Sequence, residues 1–207
     1  MSETEPQSRP TPTPTVSAIA DPAPLGLAGF AMTTLVLSCF NAGFIDKSAE
    51  AVVLPLAFMY GGLGQLLAGM WEFRKGNTFG ATAFSSFGAF WLSYYLLVKD
   101  ALPSMTAAKP NDINHALGLF LLAWAIFTAY MTVAALRQSK AVLAVFVALT
   151  ITFAFLSAGN FANSMDVTKI GGWLGLVTAA LAWYASFAGV TAFTFGRQVL
   201  PTWPPKQ

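Results

Sequence analysis

Two asparagines, Asn41 and Asn160, each stand eleven residues after a bulky apolar residue, Phe30 and Leu149, inside long apolar stretches. A helix turns about 100° per residue, so positions 3, 4, 7 and 11 apart share a face. Phe30, Thr33, Thr34, Leu37 and Asn41 therefore fall together, and Leu149, Thr152, Phe153, Leu156 and Asn160 repeat the pattern. The strings LSCFN at 37–41 and LSAGN at 156–160 echo each other as well. Amides and hydroxyls above an apolar plug can hold a small polar solute without ionising. They suggest a wet vestibule leading to a dry constriction about 16 Å further in. The same residue types also glue helices together, and both readings stand at this point.

What the chain lacks narrows the chemistry. His115 and Cys39 are its only histidine and cysteine, so neither a Ser/His/Asp set nor a Cys/His metal spacing can be assembled, and no phosphate-cradling glycine loop is present. No enzymatic activity, cofactor, metal or nucleic-acid partner is expected. Cys39 reads as a packing residue, and His115 as an interfacial one with pH sensing as its alternative. Every Asp, Glu, Lys and Arg falls in a tail, a loop or a last turn. Pumps and proton-driven carriers commonly keep an ionisable group at mid-depth; here any pathway must be built from neutral groups.

The elements that position these residues follow from composition. Of 207 residues, 56% are hydrophobic and 10% charged, which marks an integral membrane protein. A crossing needs roughly 20 mainly apolar residues, and stretches at 25–44, 51–71, 79–98, 116–136, 141–159 and 170–193 qualify. The fold expected is all-α, a six-transmembrane-helix bundle in one domain over 21–196. Residues 1–20 form a disordered cytoplasmic tail in this reading, and 197–207 a cytoplasmic C-terminal tail. With both termini inside, the inner segments hold Arg9, Arg74, Lys75, Arg137, Lys140, Arg197 and Lys206. The outer loops then hold Lys47, Lys99, Lys109 and Lys169, the bias that the positive-inside rule favours.

Other faces divide between packing and pore. In the third span Thr78, Thr82, Ser85, Ala89 and Ser93 form a small stripe assigned to packing, while Phe84, Phe87, Trp91 and Tyr94 form an aromatic face assigned to the pore. Gly61, Gly64, Ala68 and Gly69 of the second span allow close helix contact and leave Gln65 as an amide at membrane depth. Gly171 and Gly175 suit packing against another helix or subunit, and Trp71, Trp173 and Trp203 suit interfacial anchors.

The first span opens with DPAPLGL at 21–27. Asp is a favoured N-cap, and Pro is tolerated in a first turn because the N–H it lacks would have no intrahelical partner. The helix start presents N–H groups and the positive end of the macrodipole to the inner mouth, a neutral resting place for an anion. Gly26 and Gly29 would let a ligand or a neighbouring helix approach the backbone.

With YGGLGQLLAGMWEFRKGNTFGATAFSSFGAFW at 60–91, AGN at 158–160, GGWLGL at 171–176 and FGRQVLP at 195–201, the sequence resembles the acetate uptake transporters, or succinate-acetate permeases, whose signature is NPAPLGL. The resemblance spans nearly the whole chain after the tail. It implies passage of acetate and similar monocarboxylates, with succinate in some members, through a pore within each protomer of a hexamer. The short tail and the lack of targeting signals suggest the inner (plasma) membrane. By motif position the family's constriction falls on Phe30, Phe87 and Leu149. Binding is expected at Asp21, Pro22, Ala23, Pro24, Leu25, Gly26 and Leu27 on the inner side and at Thr33, Thr34, Asn41 and Asn160 in the vestibule.

Two departures stand out. Asp21 replaces the usual Asn and would repel an anion, or act as a pH-dependent gate if it took a proton. Phe87 replaces a frequent Tyr, which predicts faster passage with looser selection, or preference for the uncharged acid. A channel for a neutral solute such as ammonia, and a membrane scaffold with no flux, are the alternative readings.

Overall fold

The computed structural model describes residues 19–204, and within them six helices are long and apolar enough to cross a membrane. They are α1 Ala23–Asn41, α2 Lys47–Lys75, α3 Thr78–Ser104, α4 Pro110–Ala135, α5 Lys140–Phe161 and α6 Met165–Thr194. The described part of the chain is all-helical, without strands, and the protein is a multi-pass membrane protein. Residues 1–18 of the expected N-terminal tail lie outside the described residues.

Local chemistry sets the helix ends. Gly43 takes φ +84° and closes α1 three residues before the expected end. α2 begins four residues early because the Asp46 carboxylate accepts the Ser48 N–H at 2.9 Å, and the hydrogen bonds from Ser48 hold that carboxyl below its ordinary range. Pro110 starts α4, where its missing N–H costs nothing. Ser139 and Ser164 cap α5 and α6 by accepting from Val142 and Val167. Both α2 and α3 contain a π-helical turn, at Met59–Gly64 and Leu97–Ala101.

The helices form a ring in the order α3, α2, α1, α6, α5, α4, in which each of these neighbours packs directly on the next. α3 and α4 approach least by backbone, and aromatic side chains close the ring between them. Phe90 stacks on Phe120 with centroids 6.0 Å apart and meets Trp124 edge-on at 5.1 Å. Phe87 lies 6.2 Å from Trp124 and 5.4 Å from Phe127. The aromatic face of α3 thus points inward. Ala89 on its small face is exposed, and Ser85 packs against Gly69 of α2.

Gly171 and Gly175 find their neighbours inside the chain, against Leu156 of α5 and Ser38 of α1. The expected C-terminal tail does not leave the bundle in its described part. Thr202 and Trp203 carbonyls accept the Ala141 and Lys140 N–H groups at the start of α5, and Tyr184 donates to Pro201 O at 2.7 Å. These bonds satisfy helix-start donors that would otherwise face outward.

Candidate functional site

A cavity of about 180 Å³ opens at the end of the bundle where α1 and α5 finish, room for several water-sized spheres. Phe30, Thr34, Leu37 and Asn41 line it from α1, and Leu149, Thr152, Phe153, Leu156 and Asn160 from α5. Phe90, Trp91 and Tyr94 of α3 and Leu117, Phe120 and Leu121 of α4 complete the deeper wall. The two echoed faces therefore look into one space. Thr33 does not join them. It is fully buried, its hydroxyl donates to Gly29 O at 3.0 Å and reaches Leu56 O at 3.5 Å, and it faces Gly61 of α2. On a 100° wheel position 33 is no farther from Leu37 than position 34, so the period does not separate the two threonines; contact with α2 does.

Apolar side chains make the floor. Phe30, Phe87 and Leu149 are 4%, 3% and 4% exposed and belong to one contiguous buried cluster. Phe30 and Phe87 have ring centroids 5.8 Å apart, and Phe146 lies 6.1 Å from Phe87. Phe30 and Leu149 reach the cavity wall itself; Phe87 stands behind them.

A second cavity of about 420 Å³ lies at the opposite end, among the starts of α1 and α5, the end of α6 and the segment 198–204. Asp21, Ala23, Pro24 and Leu27 line it. The two cavities share no residue. They approach within three residues on α1, Leu27 to Phe30, and seven on α5, Val142 to Leu149. At about 1.5 Å per residue the barrier is roughly 5 to 10 Å thick.

The start of α1 differs from the sequence reading. The assigned N-cap is Pro22, and Asp21 accepts the Ala23 N–H at 3.0 Å from one position earlier. Pro22 and Pro24 have no N–H, and Gly26 donates to Pro22 O, so this turn satisfies most of its own donors and offers an anion little. Pro22 is buried off both cavities, Leu25 points outward at 45% exposure, and Gly26 is filled against the Phe84 ring. These three residues line neither cavity. Asp21 also pairs with Lys75 at 2.9 Å, which offsets its charge toward an incoming anion. Ser186 of α6 donates to Pro24 O at 2.7 Å and holds the turn in place.

Charge enters the bundle in two places that the sequence reading passed over. Glu50 and Lys47 stand on the wall of the asparagine-end cavity, and Tyr94 donates to Glu50 Oε1 at 2.7 Å. Glu72, in the last turn of α2, is fully enclosed with neither carboxyl oxygen hydrogen-bonded. Asn160 spends one amide hydrogen on Leu156 O at 2.8 Å and lines the cavity. The wall from α4 was also missed, although Leu117, Phe120 and Leu121 stand at i, i+3 and i+4 and mark a single face.

A family model described as the GPR1/FUN34/yaaH family matches residues 2–204. The chain belongs to that family. Within the GPR1/FUN34/yaaH family it is 40% identical to the succinate-acetate/proton symporter SatP of Escherichia coli over 183 residues, covering 88% of this chain and 95% of that one. It is 45% identical to ammonia transport outward protein 2 of Saccharomyces cerevisiae over 177 residues, 84% of this chain and 63% of the relative. The chain thus spans about three fifths of the length of the yeast relatives it matches. A solved structure of the bacterial acetate channel SatP superposes with a TM-score of 0.81 at 39% identity, over 89% of this chain and 99% of the other.

Proposed function

We propose that this chain passes acetate and related small carboxylates, succinate among them, across the membrane with a proton. The path runs from the asparagine-end cavity over the Phe30, Phe87 and Leu149 barrier to the cavity beside Asp21. One observation carries the reading. A largely apolar cavity that carries Thr34, Asn41 and Asn160 on its wall ends on Phe30 and Leu149 in a chain 39% identical to a bacterial acetate channel.

The barrier explains why a proton should accompany the solute. An unpaired carboxylate entering such a floor loses hydration at a cost of several kcal/mol, whereas the neutral acid loses much less. Proton co-movement then needs no titrating residue in the barrier. The same reading makes the protein a transporter rather than an enzyme, with both termini cytoplasmic by the Lys/Arg bias. It is set in the inner (plasma) membrane, as a hexamer whose exposed apolar faces meet lipid and neighbouring protomers.

Labelled acetate uptake by purified protein in liposomes tests this. Uptake is expected to be saturable and faster when the outside is more acidic than the lumen. Liposomes that gain no acetate above the protein-free rate would overturn it. A second reading, ammonia passage, is favoured by the name of the yeast relative and by the uncharged barrier; ammonium-driven alkalinisation of the lumen without acetate flux would select it.

A further inference from the structure

Hydroxyls inside an apolar helix are normally satisfied by their own backbone, through a bond to the carbonyl four residues earlier. Five of the buried threonines obey this. Thr33, Thr128, Thr152, Thr178 and Thr191 donate to Gly29, Trp124, Ala148, Leu174 and Phe187 at 2.7 to 3.0 Å. Thr34 is the buried threonine that does not. At 6% exposure its Oγ1 is enclosed without a hydrogen-bond partner, and its side chain lines the asparagine-end cavity.

Trp91 of α3 is in the same position. It is 2% exposed, lines the same cavity, and its Nε1 has no acceptor. An indole N–H is a donor only, so water or ligand must supply that acceptor. The ring cannot swing away to find one elsewhere. Its Cδ1 stands 2.9 Å from where a Cβ on Gly61 would sit, in the π-helical turn of α2. Phe90 and Tyr94 hold it edge-on at 5.0 and 5.8 Å.

An unmet buried donor is costly, and two on one cavity share an unmet need. We propose that the Thr34 hydroxyl and the Trp91 indole N–H are the docking pair for the carboxylate group of the transported acid, just above the barrier. This rests on the carboxylate reading given above and adds the atoms that would recognise it. The short apolar tail of the acid would lie toward Phe30, Leu149 and Phe153, which line the cavity beside the pair. Both donor atoms are closed to a water-sized sphere in this conformation, so the site is one that an entering ligand opens. Two neutral donors bind an anion more loosely than a buried cation would. A pathway needs that looseness, because a solute held tightly would not leave.

The test uses the full chain, with its six tryptophans labelled at the indole nitrogen, in lipid nanodiscs and in liposomes. Trp91→Phe identifies the Trp91 indole signal by its disappearance. In the native protein that signal is expected to move saturably with sodium acetate and not with sodium chloride at equal ionic strength. Thr34→Val, which keeps the shape and removes the hydroxyl, should shift that titration to several-fold higher acetate. Trp91→Phe and Thr34→Val should each raise the KM for acetate uptake about tenfold, as expected for a hydrogen bond to a charged group, with the maximal rate kept within about twofold.

Acetate uptake with a motionless Trp91 signal would overturn the docking pair and leave the transport reading intact. Uptake by Thr34→Val and Trp91→Phe at the native KM would do the same. A native protein that neither takes up acetate nor responds to it would remove the carboxylate reading, and the pair with it.

Discussion

The two ends of the bundle treat their polar groups differently. At the Asp21 end the chain satisfies itself. The Asp21 carboxylate takes the Ala23 N–H and pairs with Lys75, Ser186 closes on Pro24, and the segment at 201–203 caps α5 and binds Tyr184. At the asparagine end two enclosed donors, Thr34 and Trp91, have nothing to bond. One end is therefore built as a structural seal and the other as a place where a ligand completes the hydrogen bonding. Away from the asparagine-end cavity Glu72, Ser85 and Gln65 are exceptions: Glu72 is enclosed beside Gly80 and Asn77, Ser85 lies against Gly69, and the Glu72 carboxyl oxygens, Ser85 Oγ and Gln65 Oε1 have no hydrogen-bond partner.

Substitutions can break that contrast, and the largest effect is expected between the two ends. Gly29 of α1 faces the Tyr60 carbonyl of α2, and a Cβ there would stand 2.6 Å from that oxygen. Backbone cannot yield as a side chain does, so Gly29→Ala should cost about 3 kcal/mol. Thermal unfolding in detergent checks this; an unchanged transition would mean that α1 and α2 are not clamped at mid-bundle.

Next comes the barrier itself. Leu149→Ala removes three carbons from the cavity floor, and the ratio of lactate to acetate uptake should rise about tenfold, the scale of size discrimination in an apolar pocket. Equal ratios in the variant and the native protein would place selection elsewhere. The smallest effect belongs to the sealed end. Asp21 has a side chain 54% exposed, so losing its pair with Lys75 in Asp21→Asn should change stability by less than about 1 kcal/mol, and less still at high salt. Asn also accepts the Ala23 N–H, which keeps the turn. A loss of several kcal/mol would show that the pair is integral to the seal.

Much of this was legible because helices in lipid obey two strong rules, length and period. The six spans follow from apolar length. The faces holding Phe30 and Asn41, and Leu149 and Asn160, follow from the 3.6-residue period, and the aromatic face of α3 turns inward as its pattern suggests. What escaped was decided between helices. Nothing in the spacing of Thr33 says that α2 would capture it, because that depends on Gly61 and a π-helical turn arriving at the same depth. Glu50 looked like a loop charge until Tyr94 of α3 reached it. The anion site read at the start of α1 assumed free N–H groups, but two prolines and the Asp21 carboxylate leave few. The 197–204 segment looked like a tail because its partners, the first N–H groups of α5, lie more than fifty residues away in sequence.

Leu149 offers the most direct measurement, because Cys39 is the only cysteine. In a Cys39→Ser background, Leu149→Cys places a single thiol on the cavity floor. Treatment with a small polar thiol reagent should abolish labelled acetate uptake in liposomes, while Cys39→Ser alone stays untouched by the same reagent. A modified Leu149→Cys protein that carries acetate at its unmodified rate would contradict a path over this barrier.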